Sequence, residues 1–290
     1  MRKLLLMACA VAMFTACEKP MVADDWLVVA DQGNTKKFTF TLKGDFTTDW
    51  APVTRGYMQA DGKDMTDVWV FDYMGDELQQ QIHLTNTDEN WATPSINLAM
   101  GTHNIYFVAS RGTTPTVNTN KTITWIKPSD TFWKNYEVTV VSTSNGNRAV
   151  TLDRVTTRFR ATVTDAIPTG CSSITITPAL WHTGLNYQTG APITAMTDYT
   201  TVINIPGSYI GQTNTMLSLF GFSGADQWTT TITITAKNAD SDVMGTAIIE
   251  NVPFKANRST DYSGTLFGGQ PNSLGFTLGS DWLDSYEGTW

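Results

Sequence analysis

Lys37-Phe-Thr-Phe-Thr-Leu-Lys43, followed after a turn-rich linker by Thr66-Asp-Val-Trp-Val-Phe-Asp-Tyr73, decides how this 290-residue chain folds. In the first segment Phe38, Phe40 and Leu42 share one face, while Thr39, Thr41 and Lys43 share the other. That alternation is the signature of a half-buried strand. The second segment is more apolar and reads as a second strand. The linker Asp45–Met65 carries Pro52, Gly56 and Gly62, with Thr54-Arg55-Gly56 at its centre. A cut after Arg55 would free the first strand and leave its place in the sheet empty.

The same pattern runs through the body of the chain. Threonine is about as numerous as all the charged residues together, and aromatic and β-branched residues dominate the remainder. Such a composition favours strands, and no window sustains a capped helical period. Strands are predicted over 77–84, 103–110, 121–126, 136–141 and 148–152, separated by turn residues that include Pro94, Gly112, Pro128 and Asn145-Gly-Asn147. A longer strand over 155–163 puts Val155, Phe159, Ala161 and Val163 on one face and Arg158 and Arg160, next to Arg154, on the other. An arginine row could bind an anion, but a solvated or salt-bridged sheet face is the expected role. Further strands are predicted over 173–177, 200–205, 216–220, 228–237 and 245–252, with Ile232, Ile234 and Ala236 facing inward. Regular short strands between breakers point to sandwiches or barrels. The expected class is all-β, with one sandwich over 36–152 and a second over 153–290.

Residues 1–16 read as a targeting segment and leave the fold argument. Arg2 and Lys3 form its charged start, Leu4–Phe14 its apolar core, and Thr15-Ala16 the small residues before Cys17. The apolar run is shorter than the ~20 residues a spanning helix needs. A small pair before a cysteine resembles a bacterial lipobox, with Phe14 standing where Leu is usual, and implies lipidation of Cys17. The alternative is ordinary signal cleavage nearby with Cys17 an incidental thiol. Residues 17–35 are expected to be a tether, with Trp26-Leu-Val-Val-Ala30 as one brief strand at most. Cys9 would leave with the signal and Cys17 would carry lipid, so only Cys171 remains as a structural thiol. No disulfide within the mature chain and no cysteine metal site is then expected. Without Arg2 and Lys3 the balance is 17 basic to 27 acidic residues, which argues against nucleic acid as a partner.

Catalytic motifs are not found. The three histidines, His83, His103 and His182, lack metal-ligand spacing. Gly221-Phe-Ser-Gly224 comes near a nucleophile elbow, but Ala225 breaks it. Asp240-Ser-Asp242 starts like a calcium loop without its later ligands. No glycine loop for phosphate is present. The expectation is a protein without enzymatic activity and without a cofactor.

The end of the chain, Ser273-Leu-Gly-Phe-Thr-Leu-Gly-Ser-Asp-Trp-Leu-Asp-Ser-Tyr-Glu-Gly-Thr-Trp290, carries a further strand pattern. Leu274, Phe276, Leu278, Trp282, Tyr286 and Trp290 fall on one face, with Leu283 on the other. Chain ends are usually polar and frayed. Burying six such side chains would contribute on the order of 10 kcal/mol, and left exposed they would template aggregation. The segment must dock, either in its own sheet or, as a donor strand over 273–290, in that of a neighbouring subunit.

Taken together, these stretches resemble the fimbrillins of Bacteroidales. The resemblance rests on Cys17, on the strand–Thr54-Arg55-Gly56–strand arrangement and on Thr66–Tyr73. It rests also on Leu152-Asp-Arg-Val155, on Asn251-Val-Pro-Phe-Lys-Ala-Asn257 with Tyr262-Ser-Gly-Thr-Leu-Phe267, and on the ending in Trp290. It implies two transthyretin-like sandwiches and a non-enzymatic role in type V pili at the cell outer membrane. In that family an arginine-specific protease cuts stalk precursors at the position matching Arg55, and the vacated groove takes a C-terminal strand from the next subunit. Anchor subunits stay lipidated and uncut. Gly56 follows the arginine where the family often has alanine, and the plain alternative for Thr54-Arg55 is an exposed linker pair. A second hypothesis is a lipid-anchored glycan-binding surface module, motivated by ten tryptophans, although most of those rings are expected in cores. A carboxylate-based hydrolase ranks last, having no motif.

Overall fold

The computed structural model describes residues 34–44, 46, 56–57, 65–193, 196–268 and 277–278, with backbone alone at 56–57 and 277–278. Within them the protein is all-β. A single short 3-10 turn, Gly207–Tyr209, is the only helical element among the described residues.

Two sandwiches lie in tandem. In the first, one sheet runs β10 (Asn147–Thr151), β1 (Lys36–Gly44), β2 (Gly56–Tyr57), with β5 (Ser95–Leu98) also paired to β1. It faces a sheet ordered β11 (Asp153–Arg154), β9 (Thr131–Val140), β6 (Gly101–Arg111), β3 (Met65–Met74), β4 (Glu77–Thr85). The core between them joins Phe38, Phe40 and Leu42 of β1 to Val68 and Val70 of β3 and to Ile105 and Phe107 of β6. In the second, β16 (Thr215–Phe222), β12 (Thr156–Val163), β19 (Ser259–Gly264) and β20 (Thr277–Leu278) face β15 (Thr201–Asn204), β13 (Cys171–Pro178), β17 (Trp228–Asn238) and β18 (Val243–Phe254). Ile232, Ile234 and Ala236 are fully buried there, as their alternation requires.

The halves repeat one plan. β1 pairs parallel with β10 and antiparallel with β5; β12 pairs parallel with β19 and antiparallel with β16. In the facing sheets, the order β9-β6-β3-β4 matches β18-β17-β13-β15. In each half an early strand is thus an inner strand clasped by a strand from near that half's end.

A small sheet joins the halves: β14 (Gly184–Asn186), β8 (Thr122–Thr124) and β7 (Thr116–Asn118). It covers the outer face of β3, where Trp69, Phe71 and Tyr73 pack with Ile123, Leu185, Tyr187 and Phe222. β3 is therefore buried on both faces, which is why its sequence is a run of apolar residues rather than an alternation.

The arginine row takes the salt-bridged form of the expected sheet face, with Arg154 buried rather than at the surface. Arg154 sits in β11 and is buried: its Nε and Nη2 donate to Asp130 at 2.8 and 3.0 Å. Asp130, 3% exposed, also accepts from Arg111 and from Thr156 Oγ1. Arg158 is buried and donates to Ser259 at 2.9 Å, and Arg160 pairs with Asp261. Burial, with the Arg160 charge beside it, pushes Arg158 down to about 10. Arg154 is thus ion-paired in the interior and Arg160 in a half-buried pair, with carboxylates that lie outside their own strand.

Candidate functional site

β1 occupies a slot with walls on both sides. Its residues 39–43 run parallel to 147–151 of β10, while 36–39 run antiparallel to 95–98 of β5. Beyond the ladders, Thr39 N–H donates to the Gly146 carbonyl at 2.6 Å, and Phe40 N–H to that of Pro94 at 2.9 Å. Leu42 N–H reaches Ala92, and the Lys43 carbonyl accepts from Leu152 N–H at 2.8 Å. The floor is apolar. Phe38 and Phe40 have no exposed surface, and the Phe40 ring lies 5.1 Å from Phe107 and 5.8 Å from Tyr136, edge to face. Burying Phe38, Phe40 and Leu42 contributes about 1.5–3 kcal/mol each.

Glycine at 146 makes the wall possible. A Cβ added there would sit 1.8 Å from the Lys37 carbonyl oxygen, so any side chain would push β10 off β1. The sequence marks Asn145-Gly-Asn147 as a turn but not as a wall of the slot, because that contact is parallel and more than a hundred residues distant.

Within the linker the chain returns to the end of β1. Gly56 lies opposite Gly44 and Tyr57 opposite Lys43, whereas the sequence reading left this stretch as an unpaired linker. Cys17 and Arg55 lie outside the described residues. Of the tail positions, Leu278 pairs with Tyr262 at the edge of the chain's own sheet; Leu274, Phe276, Trp282, Tyr286 and Trp290 lie outside the described residues.

The other singled-out residues have structural partners. His83 is half-buried on β4, bonded to Asp67 at 2.7 Å. His103 is buried, with Nδ1 at 2.7 Å from Asp72 and Nε2 at 3.0 Å from the Ala99 carbonyl. His182 bonds the Ile193 carbonyl. No group of three metal-binding side chains occurs among the described residues. Ser223 is buried and accepts from the Trp228 indole at 3.0 Å. Asp242 closes the turn after β17 through Asn238. Cys171 is buried, and burial pushes its thiol up, away from the reactive thiolate. None of the tryptophans among the described residues is exposed as a platform. Among those residues, no helix is long and apolar enough to cross a membrane.

No protein-family model matches the sequence, and no curated protein matches it. Among solved structures, a candidate adhesin from Bacteroides ovatus superposes with a TM-score of 0.52 at 11% identity, covering 85% of this chain and 97% of that one. A candidate cell adhesion protein from Bacteroides ovatus ATCC 8483 gives 0.52 at 11% identity over 84% and 96%. The fimbrial anchor protein Mfa2 from Porphyromonas gingivalis gives 0.46 at 10% identity over 84% and 95%. At such identities the likeness speaks for the fold alone.

Proposed function

We propose that this chain is a structural subunit of a surface fimbria, joined to its neighbours by protease-triggered exchange of β-strands and serving adhesion or biofilm formation. The observation that carries the reading is the asymmetry between two equivalent strands. β1 and β12 hold the same place in their halves, but β12 is continuous with the rest of the chain at both ends. β1 alone can be released by a single cut, after Arg55, that leaves every other strand connected. Release would open a groove with backbone partners on both sides and an apolar floor, which is what an incoming strand needs. The even-numbered apolar row ending at Trp290 is the matching donor; in this reading the short edge pairing of Thr277–Leu278 gives way to, or extends into, the groove of another copy.

The partners in this reading are other fimbrial subunits, an arginine-specific protease acting between Arg55 and Gly56, and the outer membrane through lipid on Cys17. It assigns the chain no catalysis. Further support comes from the fold shared with a candidate adhesin. The test is Arg55→Ala in cells. Ladders of polymer should vanish from unboiled gels while the monomer stays folded, and the isolated native protein should begin at Gly56. Unchanged ladders in the variant would overturn strand release as the trigger.

A further inference from the structure

A second site lies on the opposite face of β3 from the β1 slot. A cavity of about 710 Å³ opens between the β3–β4 hairpin and β7, within the ~300–1,000 Å³ of small-ligand pockets. Its floor is aromatic: Trp69, Tyr73 and Tyr187, each at least 95% buried. Phe71 holds the Tyr187 ring from behind, stacked at 3.9 Å. The walls mix apolar Leu78, Pro115 and Val117 with polar side chains and carry no net charge, since Asp76 offsets Lys121, and His83 is tied to Asp67.

The two phenols at the bottom leave a hydrogen over. Tyr73 and Tyr187 hydroxyls lie 2.8 Å apart, so one donates to the other and the acceptor's own O–H has no partner among the described residues. Burial, with the Tyr73 hydroxyl beside it, pushes the ionisation of Tyr187 up, so the pair remains a donor at any working pH. A buried donor without an acceptor is costly, and this one belongs to residues that line the cavity. On one wall, Asn118 spends its amide hydrogens on Thr122 and Thr124 at 3.2 and 3.3 Å, which leaves its carbonyl as an acceptor. On the other, Gln81 is half-buried and makes no side-chain hydrogen bond among the described residues.

We propose that this cavity binds a short neutral glycan. A sugar ring offers what the site lacks: hydroxyls that accept from the leftover phenol and donate to Asn118, and C–H groups that lie against the apolar wall of Leu78, Pro115 and Val117. An anionic ligand finds no surplus of positive charge, because Lys121 is balanced by Asp76. A peptide would instead add along the outer edges of β4 and β7, which end their sheets beside the cavity, and the peptide arm of the test separates that outcome. The inference stands apart from strand exchange, because it concerns the monomer and uses no residue of the β1 slot.

The test uses the full chain in a polyoxyethylene detergent, which carries no sugar. Cellotriose, maltotriose and lacto-N-neotetraose are titrated by calorimetry and by saturation-transfer NMR, beside 3′-sialyllactose, a heparin hexasaccharide and a Thr-Val repeat peptide. The expected result is saturable binding of at least one neutral glycan. Tyr187→Phe, which keeps the ring stack and removes the hydroxyl, should weaken it by about fivefold to tenfold. Gln81→Ala, on the half-buried wall, should weaken it similarly with the thermal midpoint unchanged, so that a folding defect in the first variant does not decide the outcome. Silence from all three neutral glycans, preference for the anionic glycans or the peptide, or binding untouched by both variants would overturn the assignment.

Discussion

Single side chains carry much of the β1 slot. Phe40 has no exposed surface and touches rings from two other strands. Phe40→Ala in the uncut chain should cost about 3–5 kcal/mol, read as a fall in the urea midpoint. An unchanged midpoint would mean that β1 contributes nothing to the stability of the precursor. His103 poses a different question. Its Nδ1 faces the Asp72 carboxylate and its Nε2 the Ala99 carbonyl, and two acceptors require a hydrogen on both nitrogens. Burial opposes the charge, but the Asp72 bond and charge outweigh it, so the pKa lies above the ordinary 6.5. A raised folded-state pKa means the native protein holds this proton more tightly than the unfolded chain. The stabilisation is complete below about pH 6.5 and is lost as pH rises through the folded value. Denaturation midpoints measured from pH 5.5 to 9 should therefore fall toward the alkaline end, and His103→Gln should flatten that fall. A slope identical in the variant would place its cause elsewhere.

At the scale of the strand, alternation made most elements legible. The segments around Phe38–Leu42, Thr66–Tyr73, Trp228–Lys237 and Arg158–Val163 emerge within a few residues of their sequence-predicted bounds. β5, β7, β14 and β19 were not legible, being short or polar and held by partners rather than by their own pattern. Nor was the pairing: β1 meets β10, and β12 meets β19, across about a hundred residues, and no local signal reports a parallel ladder. The burial of Arg154 was illegible for the same reason, since its carboxylate comes from Asp130. The cavity beside Tyr73 escaped sequence reading because Tyr187 belongs to the other half of the chain. One prediction belongs to the β1 slot as an element. A synthetic peptide of residues 273–290 should bind the chain after cleavage at Arg55 and removal of the freed strand, with saturable affinity, and should not bind the uncut chain. Equal binding to both forms would show that the tail docks outside the groove.

The whole molecule should behave as one body, although it is built from two copies of one plan. Between the halves lies an apolar cluster to which both contribute, with Trp69, Phe71 and Tyr73 from one and Leu185, Tyr187 and Phe222 from the other. The small sheet pairs β8 of the first half with β14 of the second. Asp130 adds the polar lock, holding Arg111 from the first half, Arg154 at the crossing and Thr156 at the start of β12. The side chain of Arg154 is 2% exposed and that of Asp130 3%, so the pair is sealed from water. Taking one member from a sealed ion pair costs about 3–5 kcal/mol, because the remaining charge keeps its desolvation penalty. In the proposed role as a fimbrial subunit the chain would have to pass tension from one neighbour to the next, and this joint would carry that load. In calorimetry the chain should unfold in a single transition, and Asp130→Asn should lower the midpoint of that whole transition by an amount matching about 3–5 kcal/mol. Two separated transitions, with the substitution moving only the first half's, would instead describe independent beads, and the load would then fall on the crossing segment at Leu152–Thr156.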